Sequence, residues 1–439
     1  EKCIAEAAPW HGSTAVDIAG VGIALPNGIS SAAALRAMSH SGANLLRVIP
    51  PARRDVERAA RALAGSPTEV ASRVRHGAFL RDAELFESGA FGISPAEAAA
   101  MDPQQRQLLE RGYAALHGAR LTRAALLGGV VGVSVGQWAS EFGSVLGRTP
   151  AGTSVYASTG SSCSVTCGRV SFALGLHGPC ASYDTACSAS LVASHGSVRA
   201  LQRSECDAAL SAGVNMILDP AAMAGNAVAG FTSVRGRSHT FDARADGYAR
   251  GEAVDAVASR CAADAPSPVQ MAGSAIRQDG RSASLTAPNG QAQQGVLRAS
   301  LADACLAAGE VAVLEAHGTG TALGDPIEAG AVAAVYRSSG GAVVVGSLKA
   351  NAGHTEPGAG LAGALKLCAQ LCGKGVSPNA QLRVLNAHVG AALCGTVLHA
   401  LPTQPGSVGM FDRESMDGGV LSFGYAGTIA HALLGFASV

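Results

Sequence analysis

The sequence predicts an α/β fold made of two related lobes, and three observations support this. Apolar strand-like runs alternate with helical stretches in both halves of the 439-residue chain. Several of these runs lack polar alternation, as strands covered by helices on both faces do. Aromatic residues make up only 4% while glycine reaches 56 residues, which suits close helix–sheet packing better than an aromatic-rich barrel. The elements read in order. "AVDIAGVGIALPNG" (15–28) is a buried strand ending at a Pro-Asn-Gly turn, and the Arg- and Ala-rich stretch to about residue 75 is weakly helical and exposed. "GGVVGVSVG" (128–136) and "CDAALSAGVNMIL" (206–218) are strands, the second following an Ala-rich helix that begins just after Cys187. In the second half "VAVLEA" (311–316) and "AVVVGS" (342–347) are strands and "AGLAGALKLCAQLCGKG" (359–375) a buried helix stopped by glycine. "GVLSFGYAGTIAHALLGF" closes the chain as strand, turn and strand. No low-complexity linker separates the halves, so the expected division is an N-terminal extension (1–14), a first half (15–265) and a second half (266–439).

Composition narrows the function classes. Hydrophobic residues make up 48%, charged residues 15%, and the formal net charge is zero. No Lys/Arg block interleaves with aromatics, which argues against nucleic-acid binding. No apolar run approaches the ~18 residues of a membrane-spanning helix. The N-terminus lacks a signal-like pattern, so the expected location is cytoplasmic, or a plastid where a targeting segment has been removed. The 11 cysteines are odd in number and scattered, with no C-x-x-C pair. They read as buried thiols of a reducing compartment rather than disulfides or a metal site.

Three local patterns compete for the chemistry. "GVSVG" (132–136) matches a hydrolase nucleophile elbow around Ser134, but no good helix follows, and Ser134 reads better as part of a buried strand. "VAVLEAHGTGTALG" (311–324) loosely resembles a dinucleotide-binding turn, without its strict spacing or its ribose-binding acid. The third is a constellation of Cys187, His317 and His354. Each histidine follows a buried strand and adjoins a Gly-rich turn, where α/β folds carry functional side chains. Cys187 precedes a helix whose dipole is expected to lower its thiol pKa. A thiol with two imidazoles is a route to acyl-thioester chemistry.

Longer blocks then recur in order: "FGISPAEAAAMDPQQRQLLE" (91–110), "GPCASYDTACSASL" (178–191), "SHTFDARADGYARGEA" (238–253), "LTAPNGQAQQ" (285–294), "EAHGTGTALGDPIEAGA" (315–331), "GSLKANAGHTEPGAGLAGALK" (346–366) and "SFGYAGTIAH" (422–431). Together they cover nearly the whole chain and resemble β-ketoacyl synthases, specifically the ketosynthase domains of type I polyketide synthases. The resemblance implies a thiolase-like fold, two pseudo-equivalent halves in a five-layer αβαβα sandwich, and a homodimer. It implies decarboxylative Claisen condensation: Cys187 takes an acyl group from the phosphopantetheine arm of an acyl carrier protein, and a malonyl-type thioester then loses CO₂ and attacks it. No cofactor or metal of the enzyme's own is implied.

Residue by residue, the resemblance makes Cys187 the nucleophile and His317 and His354 donors to the enolate. The backbone N–H groups of Cys187 and Tyr425 form the oxyanion hole. Lys349 is expected to pair with Glu328 and order the site, and Thr319 and Thr321 to bind the pantetheine arm. Cys163, Cys167 and Cys180 are read as packing and His431 as structural. Several positions depart from the family pattern. Ala352 and Pro357 flank His354 and are expected to loosen its loop. Ala253 and Ile429 replace a customary Gly and Asn, and Tyr425 is bulky enough to narrow or gate the acyl tunnel. Intact Cys187, His317 and His354 favour an active condensing enzyme over a non-condensing partner that only binds carrier protein. No acyltransferase G-H-S-x-G or carrier-like stretch is present, so the substrate is expected from a carrier in trans or from domains outside this sequence.

Overall fold

The computed structural model describes residues 15–437 apart from 62, 64, 139, 262–266, 337–342, 395–398 and 408–414; the expected extension at 1–14 lies outside the described residues. Ten strands carry the architecture: β1 (Val16–Gly22), β2 (Val131–Gly136), β3 (Cys180–Tyr183), β4 (Ala208–Asn215), β5 (Ala253–Cys261), β6 (Val269–Gln278), β7 (Val311–Glu315), β8 (Val343–Gly346), β9 (Ser415–Phe423) and β10 (Thr428–Ala437). The first half of the sheet runs β3-β2-β4-β5-β1 and the second β8-β7-β9-β10-β6. Both carry the same directions: the first three strands of each run are parallel, and the last two join antiparallel. The repeated order makes the two halves copies of one topology. They meet through a short β1–β6 pairing, Val16 opposite Met271 and Asp17 opposite Gln270.

Six helices fill the layers: α1 (Pro103–Gly118), α2 (Cys163–Leu174), α3 (Ala189–Gln202), α4 (Gly290–Asp303), α5 (Gly324–Tyr336) and α6 (Ala359–Gly373). α1 packs on β1 and β5, α2 on β2 and β3, and α4 on β6 and β10 with α5 beside it. α3 and α6 lie against each other between the two halves of the sheet. β2, β4 and β7 are buried at every position, because helices cover both faces. Local chemistry starts these helices: Asp102 caps α1 by accepting from Gln104 N–H, with Pro103 in the first turn, and Asn289 caps α4. Three apolar clusters fill the spaces between layers, one on each outer side and one around α3 and α6. The stretch before residue 75 departs from expectation. Helix Ala32–His40 is not fully exposed but buries Leu35 and Met38 against α6.

Close approach at the centre depends on glycine. Gly136 ends β2, and a Cβ there would lie 2.2 Å from the Ser190 backbone nitrogen of α3. Gly136→Ala is therefore expected to cost about 1–3 kcal/mol, because the added methyl must displace the α3 backbone. A lower urea midpoint measures this. Among the described residues no helix is long and apolar enough to cross a membrane, and no group of three His, Cys, Asp or Glu side chains is placed to hold a metal ion. All ten described cysteines are free. Cys180 departs from the packing expectation: it is exposed, on an edge strand whose other side pairs with nothing described.

Candidate active site

The nucleophile candidate sits at a sharp elbow. β3 leads through Asp184 and Thr185 into a single helical turn at Ala186–Ser188, which runs straight into α3. Ala186 takes φ +53°, a conformation unusual without glycine and tolerated because its side chain is a single methyl. Asp184 accepts from Ala186 N–H, and Ser188 Oγ bonds Thr185. From β9, Ser422 Oγ donates to the Cys187 carbonyl at 2.7 Å. Together these contacts fix Cys187 at the floor of a cavity of about 410 Å³.

Both histidines reach the same cavity from the carboxyl ends of parallel strands. His317 follows β7 and His354 lies in the loop after β8, with ring centroids 5.6 Å apart and planes nearly perpendicular. His354 Nε2 lies 3.1 Å from Cys187 Sγ. Each ring is held from behind by a backbone donor. Phe423 N–H donates to His317 Nδ1 at 3.3 Å, and Glu356 N–H donates to His354 Nδ1 at 3.1 Å. An Nδ1 that accepts leaves the proton on Nε2. Burial, reinforced by the Lys349 charge, holds both imidazoles well below their ordinary pKa and therefore neutral. Both rings are thus N–H donors aimed into the cavity.

The thiol corrects one sequence expectation. Burial, with the Glu356 charge behind it, pushes Cys187 up to about 12. Lys349 and the backbone N–H groups of Tyr425 and Cys187 pull the other way. Desolvation outweighs the helix terminus, so the resting group is a thiol beside a neutral imidazole. The same two N–H groups are those expected to form the oxyanion hole, and they converge on the sulfur.

The Lys349–Glu328 pair is the second correction. Both side chains are buried, but among the described residues no carboxylate comes within 4.0 Å of the Lys349 ammonium. Glu328 instead spends both oxygens on backbone, accepting from His317 N–H at 2.6 Å and Gly318 N–H at 2.8 Å. Burial pushes it up to about 7. Asp325, one helical turn earlier, accepts from Phe241, Gly320 and Thr321 N–H. The acids of "GDPIE" therefore clamp the His317 turn, and Lys349 acts through its field. Thr319 and Thr321 line the cavity with their hydroxyls 3.2 Å apart. Tyr425 is half exposed at the mouth, its ring 5.8 Å from Phe231.

Sequence reasoning missed two supports. Glu315, at the end of β7, accepts from Leu348 N–H and from Lys366 Nζ at 2.7 Å, tying α6 to the strand–loop that carries Lys349. Arg250, fully buried, donates to Glu356 through Nε and Nη2 at 2.8 Å and to Glu141 at 2.7 Å, with its guanidinium 5.6 Å from the Trp138 ring. For Glu315 the available signal was a charge ending an otherwise apolar run; Arg250 sits among other charges in "DARADGYARGEA" and carried no such signal. The His354 loop is not loosened by its departures. His354 N–H donates to Ala249 O and Gly251 N–H to His354 O, at 2.7 and 2.8 Å. Pro357 drives its predecessor Glu356 out of the right-handed region, to φ +49°, and opens the first turn of the segment entering α6. Ser134 is buried within β2, away from the cavity lining, and His431 is buried against Ser300.

Comparison with known proteins settles the family. The model of the β-ketoacyl synthase N-terminal domain matches residues 13–258 and that of the C-terminal domain residues 269–383. The chain belongs to the β-ketoacyl synthase family. Polyketide synthase GfsB of Streptomyces halstedii is 43% identical over 374 residues, 82% of this chain and 6% of that protein. The phenolphthiocerol synthesis polyketide synthase type I Pks15/1 of Mycobacterium bovis (strain ATCC BAA-935 / AF2122/97) is 40% identical over 431 residues, 95% of this chain and 20% of that protein. This ketosynthase thus spans a small fraction of the length of these polyketide synthases. Among solved structures, the ketosynthase from module 6 of the Bacillus subtilis 168 bacillaene synthase superposes with a TM-score of 0.86 at 29% identity, over 97% of this chain and 72% of that one. The Streptomyces albus JA3453 oxazolomycin ketosynthase domain OzmH KS7 gives 0.86 at 27% identity, over 97% and 74%. The ketosynthase has the thiolase-like fold, with the duplicated α/β halves described above.

Proposed function

We propose that this ketosynthase is an active condensing enzyme that extends a Cys187-bound acyl group with a malonyl-type thioester carried on acyl carrier protein, in polyketide chain elongation. The observation that carries the reading is the pair of neutral Nε2–H imidazoles on one cavity with Cys187. In the first step the Cys187 sulfur attacks the incoming thioester carbonyl, and the pantetheine sulfur leaves with the thiol proton. Negative charge on sulfur in that step meets His354 Nε2–H, the Lys349 field and two backbone N–H groups. Charge on the carbonyl oxygen is served by the same backbone groups of Cys187 and Tyr425.

Once Cys187 is a thioester, its sulfur no longer occupies the His354 donor. In the second step the malonyl C–C bond breaks, CO₂ departs, and the electron pair becomes an enolate whose oxygen both imidazoles hold. The enolate carbon attacks the acyl carbonyl, and collapse expels Cys187 sulfur, which takes a proton from solvent to return to the thiol. Neutral donors suit this work because no proton need be given up to stabilise the enolate. Thr319 and Thr321 are assigned to the pantetheine arm, and half-exposed Tyr425 to the mouth through which it enters. A homodimer fits the open edge of β3 and the neighbouring Phe172 of α2, which is 88% exposed.

Intact-mass measurement after incubation with acyl-carrier thioester tests the reading. A single acyl adduct on Cys187, absent in Cys187→Ala, followed by release of a β-ketoacyl thioester when malonyl-carrier is added, is the expected result. An adduct without any condensation product would make the chain a non-condensing partner, and an adduct on Ser134 would make it a hydrolase.

A further inference from the structure

We propose, building on the condensing reading, that the Tyr248 hydroxyl holds the carboxylate of the malonyl extender and sets its C–C bond for cleavage. Tyr248 lines the cavity with Cys187 and both histidines, and its ring meets His354 edge-on with centroids 4.8 Å apart. Its backbone is anchored to Phe231, N–H to O at 3.1 Å. Among the described residues its hydroxyl has no hydrogen-bond partner, although the ring is packed beside the reactive groups. Burial, with the Glu356 charge nearby, holds the phenol well above its ordinary pKa, so it stays a donor.

The charge of the wall makes this donor matter. No lysine or arginine lines the cavity among the described residues, whereas Asp246, Asp279 and Glu328 do. Arg250, behind His354, is tied up by Glu141 and Glu356. A carboxylate entering this space therefore finds no cation to contact directly, only the field of Lys349 behind the imidazoles. A cation would stabilise the reactant carboxylate as much as or more than the transition state, in which its charge is moving away to the thioester oxygen. One neutral hydroxyl orients the carboxylate without that penalty. With the thioester oxygen on the two imidazoles, the carboxylate two bonds from that carbonyl carbon falls beside His354, where Tyr248 stands. Turning the C–C bond out of the thioester plane lets its electron pair enter the enolate as CO₂ leaves.

Tyr248→Phe keeps the ring and its packing and removes only the donor. Wild type and variant are to be compared for Cys187 acylation by intact mass, for CO₂ release from malonyl-carrier by the acylated enzyme, and for inhibition by acetyl-carrier, which lacks the carboxylate. The expected result is CO₂ release lowered by about 10- to 100-fold, the range for one hydrogen bond to a charged group. Acylation and acetyl-carrier inhibition are expected to stay within twofold, which a merely structural role would not produce. Unchanged CO₂ release in Tyr248→Phe, or equal loss of acylation and CO₂ release, overturns the assignment. A wild-type chain that acylates Cys187 yet releases no CO₂ overturns the condensing reading itself, and this one with it.

Discussion

His317→Ala is expected to lower condensation by about 10²–10³-fold, the usual loss for one oxyanion donor, while Cys187 still takes up its acyl group. The separation follows from geometry. His354, not His317, touches the Cys187 sulfur, whereas both rings point Nε2–H into the cavity where the enolate forms. Single-turnover mass spectrometry, acylation first and malonyl-carrier second, resolves the two steps. Equal loss in both would show that His317 serves the thiol rather than the enolate. His317→Gln, which can present an N–H, is expected to recover part of the rate.

The same burial sets a pH dependence. Because both imidazoles are held well below their ordinary value, neither donor is expected to change charge as pH drops from 7.5 through 6.5, so any fall in condensation in that window reports Glu328, raised to about 7, behind the His317 turn. Stability responds differently. His195 is lowered to about 4 and His431 to about 3, chiefly by burial, alongside His317 and His354. Below pH 6.5 the unfolded chain protonates these histidines and the folded chain does not, which lowers stability as pH falls, while Asp325 and Glu328, raised by burial to about 6 and about 7, take up protons first in the folded state and oppose that loss. Each such histidine costs up to about 1.4 kcal/mol per pH unit until its folded pKa is reached. Urea midpoints at pH 7.5 and 5.5 measure the slope.

Arg250→Ala is expected to destabilise the fold by about 3–5 kcal/mol, because it strands Glu356 and Glu141 as buried carboxylates without a partner. Arg250→Lys is not a mild substitute. A single ammonium cannot reproduce the bidentate contact to Glu356 together with the bond to Glu141. Loss of catalysis is expected to accompany the instability, since Glu356 N–H fixes the His354 tautomer. Arg250→Met, with Glu141 and Glu356 both changed to glutamine, is expected to recover part of the stability, because no uncompensated charge then remains. Denaturant unfolding of the three variants distinguishes a charge effect from a packing effect.

Much of the fold was legible because central strands read as unbroken apolar runs: β2, β4 and β7 are buried throughout. β5 and β6 were not read as strands. Asp255 interrupts the first, and Ser, Arg and Gln the second, so neither shows a clean period. Asp255 is tolerated in the interior because it accepts from Ala24 N–H, a partner 231 residues away. The expected Lys349–Glu328 pair failed for a related reason. The family resemblance suggested it, but backbone N–H groups of the His317 turn took the carboxylate first.

By itself the sequence determined the duplicated α/β pattern, the place of Cys187 before a helix and the two histidines after buried strands. Tertiary structure decided their chemical state. His317 is an Nε2–H donor because Phe423, 106 residues on, offers its backbone N–H to Nδ1. Cys187 rests as a thiol because the surrounding layers exclude water more strongly than the helix terminus favours the anion. Neither residue type nor spacing encodes these outcomes. Protonation follows from desolvation and from which donors the fold brings alongside, and both are properties of the packed molecule.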